Sequence, residues 1–243
     1  MFDLSYLKEI TFEAGRSDTI DEEKLNVLKK HNIKRICINP QTANDKTLKK
    51  IGRNHSYKDF EESFNLARKM GFTHINCDII AGLPGEDFND FKHTLDTLVK
   101  LNPESITVHT MSIKHGSYFD MNDNTDLFKN TKIVSNMLDY AHLKLKNSGK
   151  IPYYMYRQKN MLGNLENVGY CNFNCHCLYN IYIMEEVQSI IALGAGGSTK
   201  VITQDNIERV FNVKEVSEYI NRIDEMIERK LNLFSITQKN LCE

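Results

Sequence analysis

The first half of the chain alternates short β-branched runs with stretches whose apolar residues recur every three or four positions. Ile10–Glu13, Arg35–Asn39, His74–Ile80 and Ser105–Thr110 read as strands. Asp21–Lys30, a stretch from about Asp45 to Ile51, one opened by Ser56, and one from Asp87 to about Leu101 read as helices. Their boundaries are written in local chemistry. Ser56 with Asp59 three residues on is a capping-box pair, Gly71 falls just past a helix end, and Asn102-Pro103 stops the next helix. The strand ends near Glu13, Pro40, Ile80 and Thr110 are spaced by roughly the 30 residues of a strand-plus-helix unit. That order predicts βα units around a mostly parallel sheet.

The second half changes character. Thr131–Asn147 predicts a long helix ended by Ser148-Gly149, followed by a Tyr-rich run and an Asn/Gly/Cys-rich stretch. Tyr179–Met184 and Ser189–Leu193 read as strands, and roughly Lys214–Lys230 as a final helix. The expectation is an α/β domain over residues 1–120 and an α+β extension over residues 121–243. The boundary is placed in the loop-like segment between Ser117 and Asp126.

Composition narrows the function classes. The 243 residues carry 31 Lys+Arg against 32 Asp+Glu, so the chain has no general electrostatic footprint for nucleic acid or a membrane surface. No segment offers the ~20 apolar residues of a spanning helix. The N-terminus, with Asp3 and Glu9 and no basic region before an apolar core, does not read as a secretory signal. Six cysteines in such a chain read as reduced thiols or ligands, and the expected compartment is cytoplasmic.

In parallel α/β folds ligands sit at the carboxyl ends of the strands. Here those ends carry Glu13, Asn39 with Gln41, Asp78, and His109 with Thr110. Each could simply cap the next helix or bridge a neighbouring strand. Together they suggest a polar ligand with hydroxyl and amino groups, because an acid at a buried strand end is costly unless paired. The loop Ala81–Glu86 is a Gly/Pro turn without the Gly-Lys-Ser/Thr ending of a phosphate loop, and Gly194–Ser198 lacks the third glycine of a dinucleotide fingerprint. Tyr153, Tyr154 and Tyr156 with Arg157 and Lys159 suit a flat, carboxylate-bearing ligand or an ordinary strand equally well. As a strand, Tyr154 and Tyr156 share one face, with Tyr153, Met155, Arg157 and Lys159 on the other. Cys171, Cys175 and Cys177 are spaced C-x3-C-x-C, unlike the C-x2-C units that converge on one metal, so no metal ligands are assigned. Cys37 and Cys77 read as buried strand residues.

Several separated strings, INPQT, the IGR at Ile51–Arg53, NCDIIAGLPGE at Asn76–Glu86 and IIALGAGGSTK at Ile190–Lys200, resemble the oxygen-independent coproporphyrinogen III oxidase (coproporphyrinogen dehydrogenase) family of radical S-adenosylmethionine (SAM) enzymes. YYMYRQKNM, GNLENVGY and CLYNIYIMEE extend the resemblance over nearly the whole chain. It implies a partial (β/α) radical SAM barrel lacking its first βα units, with an α+β C-terminal extension. It also implies cofactor-binding roles. Glu13 matches the acid that reaches the SAM methionyl group, Gln41 and Asp78 match residues holding the ribose hydroxyls, and Arg53 matches the partner of the SAM carboxylate. The implied reaction uses SAM and a 4Fe-4S cluster with an external electron donor. A deoxyadenosyl radical takes hydrogen from a propionate of a porphyrinogen, which decarboxylates to a vinyl group in haem biosynthesis. Arg157, Lys159 and the nearby tyrosines are candidates for holding propionates. The family's cluster loop, three Cys spaced C-x3-C-x2-C, does not occur in this sequence. The expectation is an N-terminally shortened chain that is inactive alone, with no catalytic residue assigned. Three other readings stay open: a haem- or porphyrin-binding protein without oxidase activity, a small metal site at Cys171–Cys177, and a barrel enzyme using Asp78 with His109 as an acid/base pair.

Overall fold

The structure is a computed structural model and describes residues 5–112, 131–157, 162–203 and 206–240. In chain order its elements are β1 (Thr11–Gly15), α1 (Glu22–Lys30), β2 (Arg35–Ile38), α2 (Asp45–Lys50), α3 (Tyr57–Lys69), β3 (His74–Ala81), α4 (Phe88–Leu101) and β4 (Ser105–Thr110). There follow α5 (Thr131–Asn147), β5 (Ile151–Tyr156), β6 (Asn167–Cys171), α6 (Leu178–Met184), β7 (Ser198–Ile202), β8 (Ile207–Phe211), α7 (Val216–Asn221) and α8 (Ile223–Asn240). The chain divides into two compact units, Met1–Leu178 and Tyr179–Glu243. The boundary expected between residues 117 and 126 lies outside the described residues.

The first unit is built on a six-stranded sheet of order β1-β2-β3-β4-β6-β5. β1 to β4 run parallel, each joined to the next through helix, as the alternating pattern predicts. β6 and β5 close the far side of the sheet antiparallel. The helices start where their caps dictate. The Ser56 side chain accepts from the Asp59 amide at 3.2 Å while the Asp59 carboxylate accepts from the Ser56 amide at 2.7 Å, and Asp87 with Asp90 repeats the reciprocal pair. Asn102 ends α4 in the left-handed region, at φ 53°.

Period-two alternation along the strands divides the sheet. Ile36, Ile38, Ile75, Cys77, Ile79, Ile106 and Val108 are all buried, and with the helix residues Leu25, Phe60, Phe64, Phe91, Leu95, Leu98, Met137 and Leu145 they form one apolar core. Fully burying one such side chain is worth about 1.5–3 kcal/mol. The alternate strand positions carry polar groups and form the candidate site.

The second unit holds the β7–β8 hairpin with α6, α7 and α8. Here three sequence expectations are corrected. Tyr179–Met184, expected as a strand, lies in helix α6. Its Tyr and Ile residues favour strands only where a pleated, half-buried surface exists to pack on, and none of its residues is buried. Ser189–Leu193 forms no strand. It contributes an isolated bridge, Ile190 to Lys200, and leaves Ile191 and Leu193 exposed. The last helix is two, because Glu215 caps α7 and the backbone leaves helical geometry at Arg222 before α8 begins. Gly197 is packed tightly here: a Cβ would meet Ala192 Cβ at 3.1 Å and Asn212 Nδ2 at 3.2 Å, so this glycine-rich stretch serves close packing. Among the described residues no helix is long and apolar enough to cross a membrane.

Candidate active site

The polar face follows from the same alternation that builds the core. Glu13 pairs with Cys37 across β1 and β2, and Cys37 with Asn76 across β2 and β3. Two residues further on, Asp78 pairs with Thr107, Thr107 with Gly169, and Gly169 with Tyr154. Residues two apart on a strand share a face, so β3 presents Asn76 and Asp78 together and β4 presents Thr107 and His109.

Asp78 is the hub. Its amide donates to Asn39 Oδ1 at 3.2 Å, one carboxylate oxygen accepts from Asn76 Nδ2 at 2.8 Å, and the other lies 3.5 Å from His109 Nε2. His109 Nδ1 is 3.2 Å from the Tyr156 hydroxyl, giving a Tyr156–His109–Asp78 chain across three strands. Tyr154 and Tyr156 stack with centroids 6.2 Å apart and planes 5° from parallel. The Tyr154 ring lies directly over Gly169, where a Cβ would collide with it. Only glycine leaves room for the ring at that position. A bulge between Pro152 and Tyr154 brings the Tyr153 and Tyr154 rings within 4.8 Å of each other.

Electrostatics mark the site as well. The Glu13 residue keeps surface exposure, yet its carboxyl is partly packed by protein. Its pKa is raised, by burial first and then by the Asp78 charge, while Cys37, Arg35 and His109 oppose the shift. Burial and the neighbouring Glu13 carboxyl push the Cys37 thiol far up, so it stands as a neutral SH. The Tyr154 phenol is raised by burial.

Gln41 stands at the exit of β2 with its backbone fixed on both sides. Its amide donates to the Asp78 carbonyl and its own carbonyl accepts from Ile80, each at 3.0 Å. Its φ of 64° is a left-handed conformation that costs a non-glycine residue energy and clusters at functional sites. The next residue anchors this strained turn. Thr42 Oγ1 donates to Glu86 Oε1 at 2.5 Å and lies 3.2 Å from Thr94 Oγ1. Arg53 stands apart from Asp78, beside the exit of β1 with Arg16, Asp18 and the buried His55. Burial first, then repulsion from Arg16, lowers the Arg53 guanidinium. Asp18 is already held by Arg16 through two bonds, one of them Nε to Oδ1 at 3.0 Å, and Arg53 has no ion-pair partner among the described residues.

Of the residues singled out in the sequence, the fold therefore brings Glu13, Asn39, Asp78 and His109 onto one face and sets Gln41 at its edge. Arg157 is elsewhere. It pairs with Glu166 and lines a 410 Å³ cavity with Met155 and Val168 on the helix side of the sheet, and Lys159 lies outside the described residues. Cys171 and Cys177 are buried, and the Cys177 thiol donates to Glu9 Oε1 at 3.1 Å. Among the described residues no three His, Cys, Asp or Glu side chains converge as metal ligands would. The sequence reading missed Cys37, Asn76 and Thr107 as members of the polar face. The signal was present in the i, i+2 spacing of Cys37 with Asn39, Asn76 with Asp78, and Thr107 with His109.

The chain is also similar to known proteins. The model of the radical SAM superfamily matches residues 5–98, which span β1 to α4. The oxygen-independent coproporphyrinogen-III oxidase-like protein HemZ of Bacillus subtilis is 46% identical over 94% of this chain and 46% of its own length. The heme chaperone HemW of Bacillus subtilis is 36% identical over 47% of this chain and 30% of its own. Among solved structures, coproporphyrinogen III oxidase (HemN) from Escherichia coli shares the fold with a TM-score of 0.61 at 18% identity, over 89% of this chain and 49% of that one. The chain thus spans about half or less of the length of these relatives.

Proposed function

The chain belongs to the radical SAM superfamily, in its coproporphyrinogen oxidase-like branch, and from that premise we propose that the polar face of its sheet binds SAM and serves the oxidative decarboxylation of porphyrinogen propionates. The observation that carries the reading is that two carboxylates, Glu13 on β1 and Asp78 on β3, lie on one face of the parallel sheet with β2 between them, close enough for the Asp78 charge to act on Glu13.

The residues present fit the methionyl and ribose parts of SAM. Glu13 offers an acceptor for the amino group, and an ammonium there would relieve the repulsion from Asp78 that raises its pKa. Asp78 is oriented by Asn76 and Asn39 and can accept from ribose hydroxyls, with Gln41 beside it. Arg53 is half-buried without an ion-pair partner among the described residues, and a carboxylate would supply its counter-charge. When bound, SAM and its cluster supply the one-electron chemistry, with an external donor providing the electron. The six cysteines of these 243 residues contain no C-x3-C-x2-C triad, so no residue here is assigned to the 4Fe-4S cluster. Tyr154 and Tyr156 give the substrate an aromatic wall, and the hydrogen-bonded His109 can hold a proton at Nε2 or pass it toward Asp78.

The test is anaerobic incubation, with SAM, dithionite and coproporphyrinogen III, of an iron–sulfur-reconstituted version of the chain extended at its N-terminus by the family's C-x3-C-x2-C segment. Deoxyadenosine and a product lighter by the lost carboxyl groups are expected. An intact cluster that yields no deoxyadenosine would sink the reading. The likeness to a heme chaperone supports a second reading, porphyrin or haem binding without turnover. A saturating haem spectrum in a protein that leaves porphyrinogen unchanged would favour it.

A further inference from the structure

The opposite end of the same sheet holds a cavity that the proposed reaction does not use. It has a volume of about 790 Å³ and lies at the amino ends of β1, β2 and β3, between the segments that precede those strands and the turn after β6. That volume is within the roughly 300–1,000 Å³ of small-molecule sites.

Its walls are dominated by donors. Lys8, Lys34 and Arg35 supply positive charge, and His31, His74 and His176 supply imidazoles. Glu9 is the one acid in the lining, and its carboxylate is already engaged. It accepts from Leu178 N at 2.8 Å, Cys177 Sγ at 3.1 Å and Thr11 Oγ1 at 3.3 Å. Arg35 is only 6% exposed, and its terminal nitrogens donate to neutral acceptors, the Cys175 carbonyl at 2.9 Å and Ser105 Oγ at 3.1 Å. Its Nε has no acceptor among the described residues. A buried guanidinium without a carboxylate partner is costly, and the cost falls when an anion comes to lie beside it. The imidazoles do not form a metal centre, because no three such side chains converge among the described residues.

We propose that this cavity binds a small oxyanion-bearing molecule, a phosphate or polycarboxylate compound, at the end of the sheet away from the SAM face. The proposal is independent of the radical reaction, since it rests on none of Glu13, Gln41, Arg53 or Asp78.

The experiment is isothermal titration calorimetry of the 243-residue chain at low ionic strength, with sodium pyrophosphate and, separately, sodium citrate. Saturable binding of at least one probe, near 1:1 and with Kd on the order of a millimolar or tighter, is expected. Whichever anion binds more tightly identifies the oxyanion class. Lys34→Glu and His176→Ala alter exposed side chains, so both should fold, and each is expected to weaken binding about tenfold. Lys58→Glu changes the net charge equally at an exposed site on α3 and is expected to leave binding unchanged. No saturable heat with either probe overturns the proposal. So does equal weakening by Lys34→Glu and Lys58→Glu, which would reduce the effect to overall charge.

Discussion

The two faces of the first unit's sheet are made from the same strands, yet they follow different rules. On the helix face Ile36, Ile75, Ile79 and Ile106 are fully buried in one apolar core with Phe60, Phe64 and Leu98. On the other face the residues one position along are polar: Asn76 bonds Asp78, Thr107 bonds Asn76, and Cys37 bonds Glu13. One residue of register separates them. The difference teaches that stability and chemistry are coded in alternate positions of one strand, so a substitution can be assigned to fold or to function by its parity.

The sharpest way to break that assignment is on the apolar face. Phe64→Ala removes a ring that is 1% exposed and is expected to cost about 3–5 kcal/mol in urea unfolding. A loss below 1 kcal/mol would mean the helix layer is not the source of stability. Gly169→Ala probes the polar face by steric means. Its methyl group must displace the Tyr154 ring, and a cost of about 1–3 kcal/mol is expected, together with a changed near-ultraviolet tyrosine signal. An unchanged tyrosine signal would contradict the stacked arrangement.

Asp96 tests the helix layer electrostatically. Burial alone would raise its pKa, but Lys144, Lys92 and Tyr140 all bond the carboxylate and hold it far below its usual value. A depressed folded pKa stabilises above the unfolded value of 3.8 and is lost as pH falls through the depressed value. Asp96→Asn is therefore expected to cost about 1–2 kcal/mol at pH 7 and progressively less below pH ~4. Equal costs at both pH values would remove the charge from the explanation.

Glu13 carries the opposite sign. Its raised folded pKa means the folded state loses stability as pH rises from the unfolded value of 4.5 through the raised one. Glu13→Gln is thus expected to melt slightly higher than the parent at pH 7 and level with it near pH 4, by differential scanning calorimetry. A lower melting temperature at pH 7 would make Glu13 a structural residue and blur the comparison. Such small gains are the mark of a group kept for function at the expense of stability.

Much of this was legible in the sequence because it is local. The Ser56–Asp59 capping pair and Asp87 announce α3 and α4, and β4 and α5 lie where period and end signals put them. The strand-end acids were legible because a carboxylate near the carboxyl end of a β-branched run is chemically conspicuous. The polar face as a whole was less so. Cys37 reads as a buried strand residue, which it is, but its position under Glu13 depends on pairing between strands. The Tyr154 seat needs both the bulge at Pro152 and the vacancy at Gly169, and neither shows in the isolated segment without its partner strand. Arg157 was misjudged for a related reason. Its side follows the strand parity correctly, but that side faces the α5 cavity, where Glu166 takes its charge. In the second unit, Tyr179–Met184 has strand composition and no strand to pair with, so short-range propensity misleads.

The central claim, that the polar face is a SAM site organised by Asp78, is tested most directly by equilibrium dialysis of radiolabelled SAM against the 243-residue chain and its Asp78→Asn, Glu13→Gln and Lys34→Glu variants. Saturable 1:1 binding is expected for the parent and for Lys34→Glu, weakened about tenfold by Asp78→Asn and by Glu13→Gln. Binding that is absent from the parent, or equally strong in all four proteins, would contradict it.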